Sequence, residues 1–423
     1  MRYLPTSKLT PGMALGQDIY DGAGRLLLAK HLLLSEEYIS NLEFLGFPGI
    51  YIDDEFTQGI EIQQVLNPQV RSQALKVVHD MFAFDVASDA EEDMPVSEIK
   101  IQKTIERIVE NILSNGDIMC NVLDIKNYDD YIYYHSINVA MMSVLLGANY
   151  GMNEESLYQL TTAAILHDIG KRFLDIGIIN ADHALTEEET QLLRKHPELG
   201  ADYLKGNYHF STLVYVGVMQ HHENYDGTGY PLGKSGEHIP LYARIIRLVE
   251  QYDNMVSLHR GRENLSPSDA MEYLMAGSGS LFDPKLVELF VEKIAVYPVG
   301  CEVELSNGMH GVVAKNFERF FLRPVVKVVE TGEMLNLRDD PDTRSIIITK
   351  NGNTLRHEVI MTGQGKCAID TLLAESFKEL AKKHPIEKIT IKEITDLAGV
   401  IRPTFYNHFQ DKYELLEWII TTD

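Results

Sequence analysis

The stretch ESLYQLTTAAILHDIGK, residues 155–171, reads as a helix that ends on an imidazole and a carboxylate side by side, His167 and Asp168. It is one of a series. From about residue 97 to 295 nearly every segment has helical periodicity: IQKTIERIVENIL, INVAMMSVLLGA, EETQLLRKH, ARIIRLVEQYDNM, PSDAMEYL and PKLVELFVEKI. This predicts an all-α domain at the centre of the chain.

Working outward, residues 1–60 read as a small α+β unit, with turn signals (PGM, DGAG), the helical SEEYISNLEFLGF and the strand-like GIYI. Residues 61–124 read as a helical linker with an acidic loop, DVASDAEEDMPVSE. The helical domain follows at 125–296. At 297–360 the pattern alternates around Asn-Gly and Thr-Gly turns, as in CEVELSNGMHGVVAK and VVKVVETGEMLNL, and predicts a small β-rich domain. Residues 366–423 are helical again. The expected fold is multidomain and mainly α.

The chain has 423 residues, 62 acidic and 38 basic, for a net charge of −24. Such a chain repels nucleic acid as a whole, so any DNA contact requires a local patch. Its three cysteines, Cys120, Cys301 and Cys367, form no CxxC pair and no disulfide framework, which points to a reducing cytoplasm. The N-terminal MRYLPTSKLTPG lacks the apolar core of a signal peptide. INVAMMSVLLGA, residues 137–148, is well short of the ~20 residues of a membrane span. No membrane association is expected.

Within the helical domain the potential metal ligands are His135, His167, Asp168, His196, His221, His222 and Glu250. A helical bundle can aim such groups at one centre, and imidazole with carboxylate suits iron, manganese, zinc or nickel. HHENYDGTGYP, residues 221–231, raises a geometric question, because adjacent side chains on a helix diverge by about 100°. His221 and His222 could serve two ions lying side by side, or one could bind while the other packs. Asp168 could bridge two ions ~3.5–4 Å apart, which would hold a hydroxide and clamp a phosphate for in-line attack. His31, His79, His183 and His209 read as ordinary surface or core residues.

In order along the chain, YYHSINVA, LHDIGK, KHPELGADYL, HHENYDGTGYP, IPLYARIIRLVEQYDNM and FDPKLVELF resemble the HD-GYP family, a branch of the HD metallophosphohydrolases, over about residues 125–295. The resemblance implies a metal-dependent phosphodiesterase that opens cyclic di-GMP to the linear dinucleotide or on to GMP. It implies metal ligands at His135, His167, Asp168, His196, His221, His222 and Glu250, with iron or manganese as the metals. Lys171 would hold a phosphate oxygen and offset transition-state charge. Asp226, Gly229 and Tyr230 would belong to the substrate loop, whose glycines would let backbone approach the ligand.

The sequence departs from the family pattern in three places. Glu250 stands where aspartate is usual. Tyr131 stands where three-metal members carry glutamate, so two ions are expected. His259-Arg260-Gly261-Arg262 replaces an Arg-Pro-Tyr-Arg run, leaving Arg260 and Arg262 as the candidates for substrate phosphates.

At the other end, TIKEITDLAGVIRPTFYNHFQDKYELLEWII, residues 390–420, begins with a capping box of Thr390 and Glu393 and holds two short helices around a turn, a helix-turn-helix candidate. It resembles the DNA-binding domain of TetR-family repressors. That implies Arg402, Thr404, Tyr406, Asn407 and His408 at a major groove and Lys412 on a phosphate. The segment 366–423 has eight Lys or Arg against ten Asp or Glu, so it is not basic. Operator reading would require a homodimer. The N-terminal LTPGMALGQDIYDGAGRLLL resembles the small domain that often precedes HD-GYP domains, with a regulatory or structural role. Two further readings stand beside the enzyme. One is a cyclic-dinucleotide-sensing, DNA-binding regulator with little turnover, and the other an enzyme for another cyclic dinucleotide or phosphoester. A tail that docks on a protein is the alternative to DNA.

Overall fold

The computed structural model describes residues 1–45, 47–62, 64–82, 96–115, 131–179, 181, 185–257, 264–351, 368–398, 409 and 412–422. The N-terminal unit pairs β1 (Arg2–Pro5), β2 (Ala14–Leu15) and β5 (Gly49–Asp53) in an antiparallel sheet of order β1-β5-β2. A hairpin of β3 (Ile19–Tyr20) and β4 (Leu26–Leu28) stands beside it, and α1 (Glu36–Phe44) is capped by the Ser35 side chain. Leu15, Ile50 and Ile52 fill its own core.

The helical domain runs from α2 (Pro68–Phe82) and α3 (Glu98–Ser114) through α4 (Tyr131–Tyr150), α5 (Glu154–Ile165), α6 (Ile176–Ile179) and α7 (Glu187–Leu193). It continues with α8 (His196–Asn207), α9 (Thr212–Gln220), α10 (Leu241–Val256), α11 (Pro267–Ala276) and α12 (Pro284–Lys293). Helix α4 is the axis. Every residue from Tyr134 to Gly147 is buried, which explains a segment that is apolar all round. No described helix is long and apolar enough to cross a membrane.

Helices α2 and α3 are more than the linker expected at 61–124. Leu75 and Val78 of α2 and Ile105 and Ile108 of α3 belong to the same core as Val139, Leu160 and Ile246. The apolar positions 101, 105, 108 and 112 share one face of α3, and burying that stripe requires a helical neighbour.

An antiparallel five-stranded sheet follows, of order β10-β6-β7-β8-β9, built from β6 (Glu302–Leu305), β7 (His310–Lys315), β8 (Val325–Val328), β9 (Met334–Asn336) and β10 (Ile348–Asn351). Val303, Leu305, Val313, Val326 and Val328 continue the helical core. The tail has a separate core. Helices α13 (Ala368–Ala381), α14 (Ile391–Ala398) and α15 (Lys412–Thr422) enclose Leu373, Phe377, Ile394 and Leu415. The Thr390–Glu393 capping box is formed, with Glu393 N donating to Thr390 Oγ1 at 3.2 Å and Thr390 N to Glu393 Oε2 at 2.8 Å.

Candidate metal centre

Helix ends deliver most of the candidate ligands. His135 lies in the second turn of α4, and His167 and Asp168 follow the end of α5. His196 is the first residue of α8, His221 is the C-cap of α9, and His222 lies just beyond it. His135, His167, Asp168, His196 and His221 are buried.

Four of the five imidazoles are held by their Nδ1. His167 Nδ1 lies 2.7 Å from Ala164 O, His196 Nδ1 2.7 Å from Leu193 O, and His221 Nδ1 2.6 Å from Val218 O. A carbonyl oxygen only accepts, so these three nitrogens carry the proton and their Nε2 atoms carry lone pairs. His135 Nδ1 meets the Asp253 carboxylate at 2.7 Å, with the same result. The lone pairs then face one another. His167 Nε2 is 3.2 Å from His135 Nε2, and His196 Nε2 is 3.2 Å from His221 Nε2, with His222 Nε2, whose tautomer no Nδ1 hydrogen bond sets, also 3.2 Å from His196 Nε2. Acceptors packed together in the interior call for a cation between them.

The ligand atoms form two groups, His135–His167–Asp168 and His196–His221–His222, each lying within 4.8 Å. Asp168 connects them. Its Oδ2 is 3.8 Å from His135 Nε2 and 3.5 Å from His167 Nε2, while Oδ1 is 3.2 Å from His196 Nε2 and 4.0 Å from His221 Nε2. Asp168 Oδ1 is buried without a hydrogen-bond partner, because the nearby His196 Nε2 presents a lone pair rather than a proton. The donor set and this orphaned oxygen fit divalent metal ions.

The adjacent histidines stand at the end of a helix, His221 as the C-cap of α9 and His222 just beyond it. Their ring centroids are 4.2 Å apart, and both rings join one group with His196.

Burial opposes charge throughout the site. It lowers the pKa of His167 to about 3 and holds His221 and His222 well below the usual imidazole range. Burial also pushes Asp168 up, but Lys171 and His167 beside it outweigh that and keep its carboxyl well below the usual range. Lys171 Nζ sits 2.5 Å from Asp168 Oδ2. Glu250 is pushed up by burial against the opposing pull of Arg247. It belongs to neither ligand group.

The loop after His222 is clamped from within. Glu223, buried, accepts from Leu232 N at 2.7 Å and from Lys234 N at 3.0 Å. Gly229 sits where its own loop leaves no room for a side chain. A Cβ there would lie 2.2 Å from Asn224 N and 2.5 Å from His222 O, so the glycine closes the loop on its own backbone. Asp226 is exposed and makes a local turn, accepting from Thr228 N at 2.9 Å and Thr228 Oγ1 at 2.7 Å. Tyr230 stacks on His222 at 4.7 Å between centroids, with the Arg194 guanidinium 5.2 Å from its ring.

Sequence reasoning missed the groups behind the ligands. Asp253 accepts from Asn138 Nδ2 at 2.9 Å as well as facing His135. Asn254 Nδ2 donates to Glu250 Oε1 at 2.7 Å. Tyr131 donates to Asn254 Oδ1 at 2.5 Å and lies 3.0 Å from His135 Nδ1. The signal for Asp253 was its position one helical turn after Glu250.

Arg260 and Arg262 lie outside the described residues, as do Arg402, Thr404, Tyr406, Asn407 and His408. Lys412 is described, and it differs from the free phosphate contact expected of it. Its Nζ donates to Ile386 O at 2.9 Å and to Ile389 O at 2.8 Å, tying α15 to the turn before α14.

Residues 121–286 match the HD domain family, and residues 377–419 match the family of bacterial regulatory proteins of the tetR type. A cyclic di-GMP phosphodiesterase of Pseudomonas aeruginosa is 33% identical over 53% of this chain and 54% of its own length. A cyclic di-GMP phosphodiesterase response regulator of Xanthomonas campestris pv. campestris is 36% identical over 34% of this chain and 38% of its own. A 3'3'-cGAMP-specific phosphodiesterase of Vibrio cholerae is 32% identical over 37% of this chain and 30% of its own. The chain thus spans about half or less of these relatives' length. It carries a segment similar to the HD domain family at residues 121–286 and one similar to the tetR family at residues 377–419.

Proposed function

We propose that this chain is a metal-dependent phosphodiesterase that hydrolyses cyclic di-GMP to the linear dinucleotide or to GMP. The observation that carries the proposal is the convergence of four imidazole Nε2 atoms, those of His135, His167, His196 and His221, on the two oxygens of Asp168, with His222 joining through His196. His135, His167 and Asp168 would hold one divalent ion, and His196, His221 and His222 a second, with iron or manganese suited to the mixed nitrogen and oxygen donors. Such ions supply Lewis acidity toward a phosphate and activate water at neutral pH.

The chain's own residues do the rest. Lys171, at the rim of the centre, is a cation placed to hold a phosphate oxygen when Asp168 is engaged elsewhere. Tyr230 covers His222 and narrows access from the loop side. Arg260 and Arg262 remain proposed substrate contacts. Asp226 and Gly229 remain proposed members of the substrate loop. The names of the relatives support cyclic di-GMP over other cyclic dinucleotides, while the relative specific for 3'3'-cGAMP makes that dinucleotide the competitor to test.

For the tail we propose an output role, through DNA or a protein partner. The tetR-family match and the separate core support a module that folds by itself. Reading an operator would require a homodimer spanning half-sites about 34–36 Å apart. A cytoplasmic location fits the scattered cysteines.

The test is anaerobic incubation of iron- or manganese-loaded protein with cyclic di-GMP and 3'3'-cGAMP in competition, following products by chromatography. Linear dinucleotide or GMP formed preferentially from cyclic di-GMP supports the enzyme. Tight binding without product would replace it with a sensor.

A further inference from the structure

We infer that Glu250 is a positioning residue for His222 and not a metal ligand. The inference rests on the metal-centre reading above. Four of the five converging imidazoles have an acceptor behind Nδ1: Ala164 O, Leu193 O, Val218 O and the Asp253 carboxylate. His222 is the exception. Its Nε2 faces His196, and its Nδ1 has no hydrogen-bond partner among the described residues. The nearest acceptor is Glu250 Oε2, 3.7 Å away. That oxygen is itself buried and without a hydrogen-bond partner among the described residues. A donor and an acceptor left over in the interior, less than 1 Å beyond bonding distance, are natural partners.

The surroundings of Glu250 agree. Its Oε1 is already taken by Asn254 Nδ2 at 2.7 Å, and the Arg247 guanidinium lies 3.8 Å from Oε2, supplying the counter-charge. A carboxylate aimed at Nδ1 lies across the ring from Nε2, the atom that faces the centre. Asp253, one turn further along α10, has the same relation to His135. Helix α10 therefore supplies two carboxylates that stand behind two imidazoles, fix their tautomers and raise their basicity. Glutamate, one methylene longer than aspartate, has the reach to stand behind His222.

The full chain, loaded anaerobically with Mn(II), tests this through metal content per chain and affinity in chelator competition. Glu250→Gln keeps an acceptor of the same reach. It should retain wild-type metal stoichiometry with little change in affinity. Glu250→Asp, too short, and Glu250→Ala should bind the same number of ions about 10–100-fold more weakly. The reverse ranking, with Glu250→Asp unchanged and Glu250→Gln losing an ion, overturns the assignment.

Ring-nitrogen NMR of His222 in the metal-free chain gives a readout that metal loading does not enter. The Nδ1–H tautomer should dominate in wild type and Glu250→Gln and mix with the other in Glu250→Ala. An Nε2–H tautomer in the wild type overturns the inference. Wild-type protein that binds no Mn(II) would refute the metal-centre reading instead, and the NMR result still decides the role of Glu250.

Discussion

Asp253 Oδ2 lies 2.7 Å from His135 Nδ1, between α10 and α4, and both side chains are buried. The carboxylate also takes Asn138 Nδ2 at 2.9 Å and Ser257 Oγ at 3.1 Å, so it is fixed from three sides. Replacing Asp253 with Asn removes the charge but keeps the shape. Metal affinity should fall about 10–100-fold, measured by Mn(II) titration, while the melting temperature of the metal-free chain changes little. Unchanged affinity would show that the His135 ring is held without it.

Asp168→Ala removes a side chain that reaches both ligand groups. Elemental analysis should find neither ion, and hydrolysis of cyclic di-GMP should cease. One ion retained at full occupancy would mean that the two groups load independently and that Asp168 does not join them.

The loop clamp makes a separate prediction. Glu223→Ala leaves Leu232 N and Lys234 N without their buried acceptor. Hydrogen bonds to a charged group contribute about 1.5–3 kcal/mol. Protease cleavage within 224–235 should become fast, and the Michaelis constant should rise. Cleavage at the wild-type rate would place the stability of the loop elsewhere.

Acid should destabilise the metal-free chain. His167, His221 and His222 are held below the imidazole range by burial, His167 at about 3. Below pH 6.5 the unfolded chain binds protons at these positions that the folded chain refuses. The unfolding free energy therefore falls with falling pH, by about 1.4 kcal/mol per unit for each histidine. Asp168, whose pKa is depressed, loses its own contribution only below the carboxylate range and adds nothing to this window. Urea unfolding at pH 7 and 5.5 should show the drop, and Mn(II) should suppress it. A flat profile would contradict the buried neutral state.

Lys412 separates scaffold from phosphate contact. Lys412→Ala removes two donations to backbone carbonyls and should lower the stability of the tail by about 1–3 kcal/mol, seen as an earlier transition of the 368–422 segment. A tail that melts as before but binds DNA with a salt slope reduced by about one would make Lys412 a phosphate contact after all.

What was legible in the sequence followed local rules or strong chemical types. Thr390 and Glu393 announce a cap because a capping box needs only a spacing of three. The histidines and Asp168 stood out because such residues recur at helix ends in one domain. Asp253 did not, because a helical carboxylate reads as surface until its partner is known, and only the packing of α10 on α4 sets it against His135. Gly229 was visible as a glycine, but the backbone that fills its Cβ position comes from its own loop. The place of α2 and α3 was hidden by the acidic run between them, whose composition reads as a connection, although the helices on either side carry core faces.

That shared core sets the smallest piece of this protein that should fold. A fragment begun near residue 125 would strip α2 and α3 from α4 and α5 and uncover Tyr133, against which His79 and Phe82 of α2 pack. One ended at 296 would do the same to the layer under Val303, Val313 and Val326. Excision at the family's edges, 121 and 286, should therefore give aggregates, whereas a cut from 64 to 351 keeps every buried residue of that core and, among the described residues, loses only the N-terminal contacts on it, such as Tyr20 on Tyr134. The unit that can be moved between proteins is larger than the unit that carries the chemistry.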